Sequence, residues 1–209
     1  MFSFSAVTSY GDQKPHKVVQ LVIASLFMLI LQSCSLSSGP EPALGLNFED
    51  LKPYLVDVAA VEVVEEYISR FDDPFVEHLS PVTPIQGLRE WVTARFRAVG
   101  SVGTLRIIVT DAGIIGKSLD TNRDFKALFI SEQGAEFMGT VSVTIDVLDA
   151  QGISLAHVSV HASTSKTLAE DASLRDRDYA MFSLTESLLK AFSREASRQI
   201  NQYFNLFLR

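Results

Sequence analysis

The sequence predicts an α+β domain in which four strands form a mixed sheet and two helices pack on one of its faces. Two segments, around residues 83–100 and 173–204, repeat apolar residues at three- and four-residue spacing, which is typical of amphipathic helices. Other segments are rich in valine or alternate apolar with polar residues, which favours strands. The order is β-α-β-β-β-α without an internal repeat, so residues 55–209 are expected to form one domain.

The first predicted strand and helix have clear local signals. Residues 56–67 carry valine on both faces, which favours a central strand, and residues 68–82 follow as an extended loop. Thr83 is a good N-cap, Pro84 suits the first helical turn, and Gly100 is expected to end the helix in the left-handed conformation. The apolar stripe of this helix consists of Ile85, Leu88, Trp91, Val92, Phe96 and Val99.

Three more strands are predicted at residues 104–115, 135–149 and 153–167. The last two are joined by Asp149-Ala150-Gln151-Gly152, a turn in which the glycine can adopt positive φ. In both, valine, isoleucine and alanine alternate with serine, threonine, aspartate and histidine. One face of the sheet is therefore expected to be polar, and open unless a loop or partner covers it.

The last predicted helix runs from about Ser173 to Phe204. Ser173 with Asp176 three residues later resembles a capping box. At about 1.5 Å per residue the helix reaches roughly 45 Å, which exceeds the sheet, so its far end is expected to project. Phe204 and Phe207 lie in an apolar tail that either folds back over the sheet or, if it projects, contacts a partner or lipid.

A second apolar cluster lies between the predicted strands, within residues 120–134. It consists of Phe125, Leu128, Phe129 and Ile130. Such a cluster either folds back over the sheet, which is the favoured interpretation, or forms a contact surface for a partner or lipid.

The N-terminal segment has the features of an export signal. Lys14 and Lys17 precede Val18–Leu31, a run of fourteen residues interrupted by Gln20 and Ser25. This run spans roughly 21 Å, whereas a membrane-spanning helix needs about 20 apolar residues. Residues 1–33 are therefore expected to be a signal peptide, and residues 34–54 a tether.

The end of this run, Leu31-Gln32-Ser33-Cys34, resembles the bacterial lipobox. That resemblance implies acylation of Cys34 as the first mature residue, with two or three chains because one binds membranes only marginally. By resemblance to Gram-negative lipoproteins, the absence of aspartate at Ser35 implies the outer membrane, facing the periplasm. Cys34 is the only cysteine, so no disulfide is expected and the core must stabilise the domain alone.

Composition and spacing argue against several activities. A net charge of −7 without a basic cluster argues against a nucleic-acid-binding surface. His157 and His161 would lie about 13 Å apart along a strand, too far to share a metal ion. No Gly-x-Ser-x-Gly motif is present, and the acidic pairs are typical of solvated side chains: Glu65-Glu66, Asp72-Asp73 and Glu170-Asp171. We therefore expect no metal, no cofactor and no enzymatic activity.

Longer stretches resemble known families. Residues 91–103 (WVTARFRAVGSVG), Asp111-Ala112 and Ser131-Glu132-Gln133 are similar to a group of uncharacterised proteobacterial lipoproteins, over most of residues 56–203. By element order alone, the chain is similar to auxiliary lipoproteins of ABC-type transport systems and to the lipopolysaccharide-assembly lipoprotein. These resemblances imply no active site.

The expected function is that of a non-enzymatic accessory in envelope assembly or lipid transport. It would be held at the membrane by the lipid on Cys34 and would bind an envelope or transport protein, or a lipid. The alternatives are a structural envelope protein without lipid cargo and a periplasmic hydrolase. An apolar groove would favour lipid handling, a flat polar sheet face would favour protein contact, and convergence of His78, Asp72 and a serine in a cleft would favour an enzyme.

Overall fold

The computed structural model describes residues 44–119 and 133–209. It confirms the α+β class, with a mixed sheet and two helices. The strands are β1 (Tyr54–Val56), β2 (Ala60–Glu65), β3 (Phe96–Ala98), β4 (Thr104–Asp111), β5 (Ile114–Ser118), β6 (Gln133–Leu148) and β7 (Ser154–Ala169). The helices are α1 (Pro84–Arg95) and α2 (Leu174–Tyr203), with short 3-10 turns at Glu77–Leu79 and Asn205–Phe207.

All four predicted strands contribute to one sheet. β2 runs parallel to β4, and β4 and β5 both run antiparallel to the same edge of β6. The other edge of β6 pairs with β7 along nearly its whole length. The predicted strand over residues 104–115 is thus broken rather than continuous. At the break, Asp111 accepts a hydrogen bond from the Gly113 N–H (3.3 Å), and the carbonyl of Gly113 accepts one from the Thr140 N–H (3.0 Å).

The first predicted strand is also divided, and the first helix is shorter than predicted. Residues 57–59 separate β1 from β2, and β1 pairs in parallel with β3. α1 ends at Arg95 because Phe96 adopts an extended conformation and begins β3. Gly100 is therefore not a left-handed helix cap. A Cβ atom there would lie 2.6 Å from the backbone carbon of Asp57, so close approach of two chain segments requires this glycine.

Local capping signals correctly locate both helix starts. Thr83 and Gln86 form a reciprocal capping box at α1, with Pro84 in the first turn. At α2 the Asp176 N–H donates to the Ser173 hydroxyl (3.2 Å), and the Asp176 carboxylate accepts from the Ser173 N–H (3.0 Å). These caps fix the ends of the two helices that cover one face of the sheet.

The core lies between that face and the helices. Trp91 of α1 is fully buried, and its indole N–H donates to the Ser193 hydroxyl of α2 at 2.9 Å. The Trp91 ring packs edge-on against Phe96 and Phe192, with centroids 5.5 and 5.0 Å apart. The sheet contributes the buried residues Leu105, Ile107, Val109, Val141, Val143, Ile145, Val147, Val158 and Val160.

The C-terminus packs against β1 and does not project as predicted. The Asp57 N–H donates to the carbonyl of Phe207 (2.8 Å), and Leu208 forms an antiparallel bridge with Val56. The guanidinium of Arg209 is 2.7 Å from the Asp57 carboxylate. These contacts turn the chain back after α2, so Phe204, Phe207 and Leu208 pack in or against the core, whereas Leu206 is exposed.

Candidate functional site

The main candidate site is the sheet surface that faces away from both helices, which we call the open face. Its side chains alternate with the core residues along β2, β4, β6 and β7, and they are exposed or half-buried. Most are polar. The open face comprises Glu62, Val64, Arg106, Ile108, Ser142, Thr144, Asp146, His157, Ser159, His161 and Ser163.

Strand register places hydrogen-bonding groups opposite each other on this face. Ser142 lies opposite His161, with 2.9 Å between the hydroxyl oxygen and Nδ1. Thr144 lies opposite Ser159, with 3.3 Å between the two hydroxyl oxygens. These rows leave hydroxyl and imidazole groups exposed to solvent, where they can bind a partner surface.

A charged row crosses the same face. Arg106 donates from Nε to Glu62 at 3.1 Å and lies opposite Asp146 in the next strand pair. The Asp146 carboxylate accepts a hydrogen bond from Ser154 at 2.6 Å. Because the Arg106 and Glu62 side chains are 41% and 49% exposed, their ion pair contributes little to stability. Its charges remain available for recognition.

The Ser142–His161 pair lacks the surroundings of a nucleophilic site. Such sites need a third group that orients the histidine and donors that stabilise an oxyanion. Among the described contacts, none supplies an orienting group to His161, and its Nδ1 is already used by Ser142. Both residues lie on an open sheet, so this arrangement fits binding better than catalysis.

The residues named for a hydrolase do not converge in the described structure. Asp72 is exposed, and its hydrogen bond with Arg70 lowers the pKa of the carboxyl. The His78 ring packs against Phe71 with centroids 5.2 Å apart. No described contact joins either residue to a serine. Within residues 44–119 and 133–209, no three His, Asp or Glu side chains cluster as metal ligands would.

A cleft of about 550 Å³ lies beside the start of α2 and the ends of β5, β6 and β7. Its apolar lining includes Val76, Phe137 and Leu168, and its charged lining includes Lys117 and Arg177. The Arg177 guanidinium lies 5.8 Å from the Phe137 ring centroid. The volume suits a small molecule, and the lining offers apolar contacts beside charges of both signs, because Asp73 and Glu170 also line the cleft.

The sequence-predicted contact residues have different outcomes. Cys34 and the cluster Phe125, Leu128, Phe129 and Ile130 lie outside the described residues. Phe204 is fully buried, so its prediction as a surface contact is wrong: the returning C-terminus places it in the core. Phe207 is half-buried and packs edge-on against Phe204, with ring centroids 6.4 Å apart.

The buried carboxylate of Glu77, which the sequence does not predict, stabilises the loop after β2 by hydrogen bonds. Glu77 is 1% exposed and accepts hydrogen bonds from the Tyr67 hydroxyl (2.7 Å) and the Arg70 N–H (2.9 Å). Its other oxygen has no hydrogen-bond partner. In the sequence Glu77 resembles the solvated acids nearby, so no local signal identifies it. Burial, and then the bond to Glu77, raise the pKa of Tyr67.

The raised pKa of Tyr67 predicts a loss of stability in alkali. Below about pH 10, the ordinary pKa of tyrosine, the hydroxyl is neutral in both states and its contribution is fully present. Above that pH the Tyr67 hydroxyl ionises in the unfolded chain but stays protonated in the folded chain. The free energy of unfolding therefore falls as the pH rises. Urea unfolding from pH 8 to 11 should show a steeper fall for the wild type than for Tyr67→Phe. Parallel curves would contradict this assignment.

Comparison with known proteins leaves the family open. No family model matches the chain, and no curated protein matches it. One similar solved structure is that of protein XCC0632 from Xanthomonas campestris, described as DUF330. It is 11% identical, the match covers 76% of this chain and 95% of that chain, and the TM-score is 0.29. Similarity at this level establishes neither a shared fold nor a shared family.

Proposed function

We propose that this chain is a lipid-anchored envelope protein that acts as a non-enzymatic accessory by binding another protein. The observation that carries the proposal is the open face. Strand pairing fixes it as a broad sheet surface, and hydroxyl, imidazole and charged groups dominate it. A flat polar surface of this kind suits contact with a protein, whereas a lipid acyl chain requires an apolar concavity.

The proposed location depends on the N-terminal sequence. Lys14 and Lys17, the apolar run to Leu31 and the following Cys34 have the order of a lipoprotein signal. Within residues 44–119 and 133–209, no helix combines the length and apolarity needed to cross a membrane. Acylation of Cys34 would hold the domain at the outer membrane, facing the periplasm.

Lipid binding is the second candidate, and the cleft beside α2 favours it. Phe137 and Leu168 offer apolar contacts, and Arg177 and Lys117 are positioned for an anionic head group. Asp73 and Glu170 also line the cleft, however, and add negative charge beside those two cations. The cleft could hold only part of a lipid, and its lining is only partly apolar. We therefore rank lipid binding in the cleft below protein binding at the open face.

Site-specific photocrosslinking in cells tests the proposal. A photoreactive residue at Ser163 should form an adduct with a defined envelope protein, and Thr144→Arg should lower its yield about tenfold, as loss of 1.4 kcal/mol would. The matched control places the photoreactive residue at Glu90, which is exposed on α1 and away from the open face.

Two results would contradict the proposal. Equal adducts from Ser163 and Glu90 would show that the open face is not a selective surface. An adduct with lipid from a photoreactive residue at Lys117, without a protein adduct from Ser163, would favour lipid binding in the cleft.

A further inference from the structure

The two outer edges of the sheet differ in how they are protected. β2 has six residues, and its edge carries Glu62 and Glu65, followed by Glu66. Short length and charge are common devices that prevent an edge strand from pairing with another chain. β7 has sixteen residues, and the stretch from Ser154 to Ser165 contains no proline, lysine, arginine or acid. β7 therefore lacks the short length and the charges that β2 has.

The backbone of β7 offers hydrogen-bonding groups on its outer side. In a strand, the N–H and C=O of one residue point to the same edge, and those of the next residue point to the opposite edge. The carbonyl of Ser159 points outward and accepts a hydrogen bond from the side-chain amide of Gln199 at 3.1 Å, so an added strand would displace Gln199 from this carbonyl. The same alternation turns the backbone groups of His157, His161 and Ser163 outward. In the described parts of the chain, β7 pairs with β6 alone.

The position of α2 determines which kind of strand can pair there. Val158 and Val160 are only 4% and 1% exposed although they lie in an edge strand, so α2 covers β7 out to its edge. Pairing of two copies through β7 would place two α2 helices above strands about 4.8 Å apart. Packed helices need about 8–10 Å, so a second copy does not fit. An extended segment without its own covering helix does fit beside β7.

We propose that an extended segment of the envelope partner adds to the sheet beside β7 by main-chain pairing. This inference rests on the proposed function and names the partner's contribution to the same surface. Side chains on one side of that segment would pack beneath α2 next to Val158 and Val160, which favours small apolar residues. Those on the other side would extend the open face beside His157 and His161, which favours carboxylate and hydroxyl groups.

Amide hydrogen exchange of the full-length protein tests this pairing. Exchange is measured by mass spectrometry, resolved to single amides, in isolated cell envelopes and in detergent-purified protein. We expect the outward amides of Ser159, His161 and Ser163 to exchange about tenfold more slowly in envelopes. The amides of Val158 and Val160, which face β6, should be protected in both samples.

Paired substitutions at one position separate edge pairing from side-chain contact. His161→Pro removes an outward N–H that β6 does not use, and an edge strand tolerates this, so the variant should fold but lose the added protection. His161→Ala keeps the N–H and should retain the added protection from exchange. Ser163→Pro, also outward, provides a second test if His161→Pro fails to fold.

Each other outcome overturns the inference in a distinguishable way. If the protein fractionates with membranes but shows no added protection, pairing at β7 is wrong and the anchored accessory remains. Protection that survives both proline variants, or that His161→Ala abolishes, indicates contact through side chains rather than the strand edge. A protein that does not fractionate with membranes contradicts the proposed function, and the inference falls with it.

Discussion

Replacing Trp91 with alanine should lower the free energy of unfolding by about 3–5 kcal/mol, the range for truncating a buried aromatic residue. Trp91 has 0% exposure and joins α1 to α2. Its removal would leave a cavity between Phe96 and Phe192 and would also leave the Ser193 hydroxyl without its indole partner. Urea unfolding followed by far-UV circular dichroism measures this loss, since the variant retains no tryptophan for fluorescence.

Two matched variants separate packing from hydrogen bonding at this position. Trp91→Phe keeps an aromatic ring but leaves Ser193 unpaired, so the loss should be smaller than for alanine. Ser193→Ala removes only the acceptor of the indole N–H and should cost about 1–3 kcal/mol, the penalty for an unsatisfied buried donor. A cost below about 1 kcal/mol for Trp91→Ala would contradict the assignment of Trp91 to the core.

The features predicted well from the sequence depend on neighbouring residues. Ser173 with Asp176, and Thr83 before Pro84, mark helix starts because each capping bond spans three residues or fewer. The alternation in residues 135–149 and 153–167 likewise identifies β6 and β7 and predicts a polar face, since successive side chains of a strand point to opposite sides.

The features predicted incorrectly depend on distant contacts. Gly100 resembles a helix cap in the sequence, yet its role is to approach Asp57, which lies far away along the chain. Phe96 fits the helical stripe but begins β3 because it pairs with Tyr54. Both errors arise because helix periodicity and glycine preference are local signals, and tertiary pairing overrides them.

Some features of the candidate site likewise follow from neighbouring residues, whereas others depend on distant contacts. The polar residues of the open face follow from strand alternation, whereas the pairing of Ser142 with His161 requires the register of β6 and β7. The prediction of Phe204 as a contact residue is wrong because its burial depends on the return of the C-terminus to β1. Glu77 could not be recognised, since its burial depends on how the loop after β2 folds onto the domain.

Replacing Cys34 with serine should abolish fatty-acid labelling and release the protein from membranes. The proposed anchor depends on this thiol, which is the only one in the chain, so no other cysteine can replace it. Because the net charge is −7, attraction to anionic head groups would not hold the unmodified protein at the surface. Metabolic labelling with palmitate, followed by membrane fractionation, measures both effects in the same cells.

Ser35→Asp is the matched control for Cys34→Ser. It leaves the thiol in place, so labelling and membrane association should persist. By resemblance to Gram-negative lipoproteins, aspartate after the modified cysteine should move the protein from the outer to the inner membrane, which density-gradient separation resolves. Continued labelling of Cys34→Ser would disprove acylation at this residue. Loss of labelling without release would show instead that something other than the lipid retains the protein, either the uncleaved apolar run before residue 34 or contacts of the domain such as those of the open face or the β7 edge.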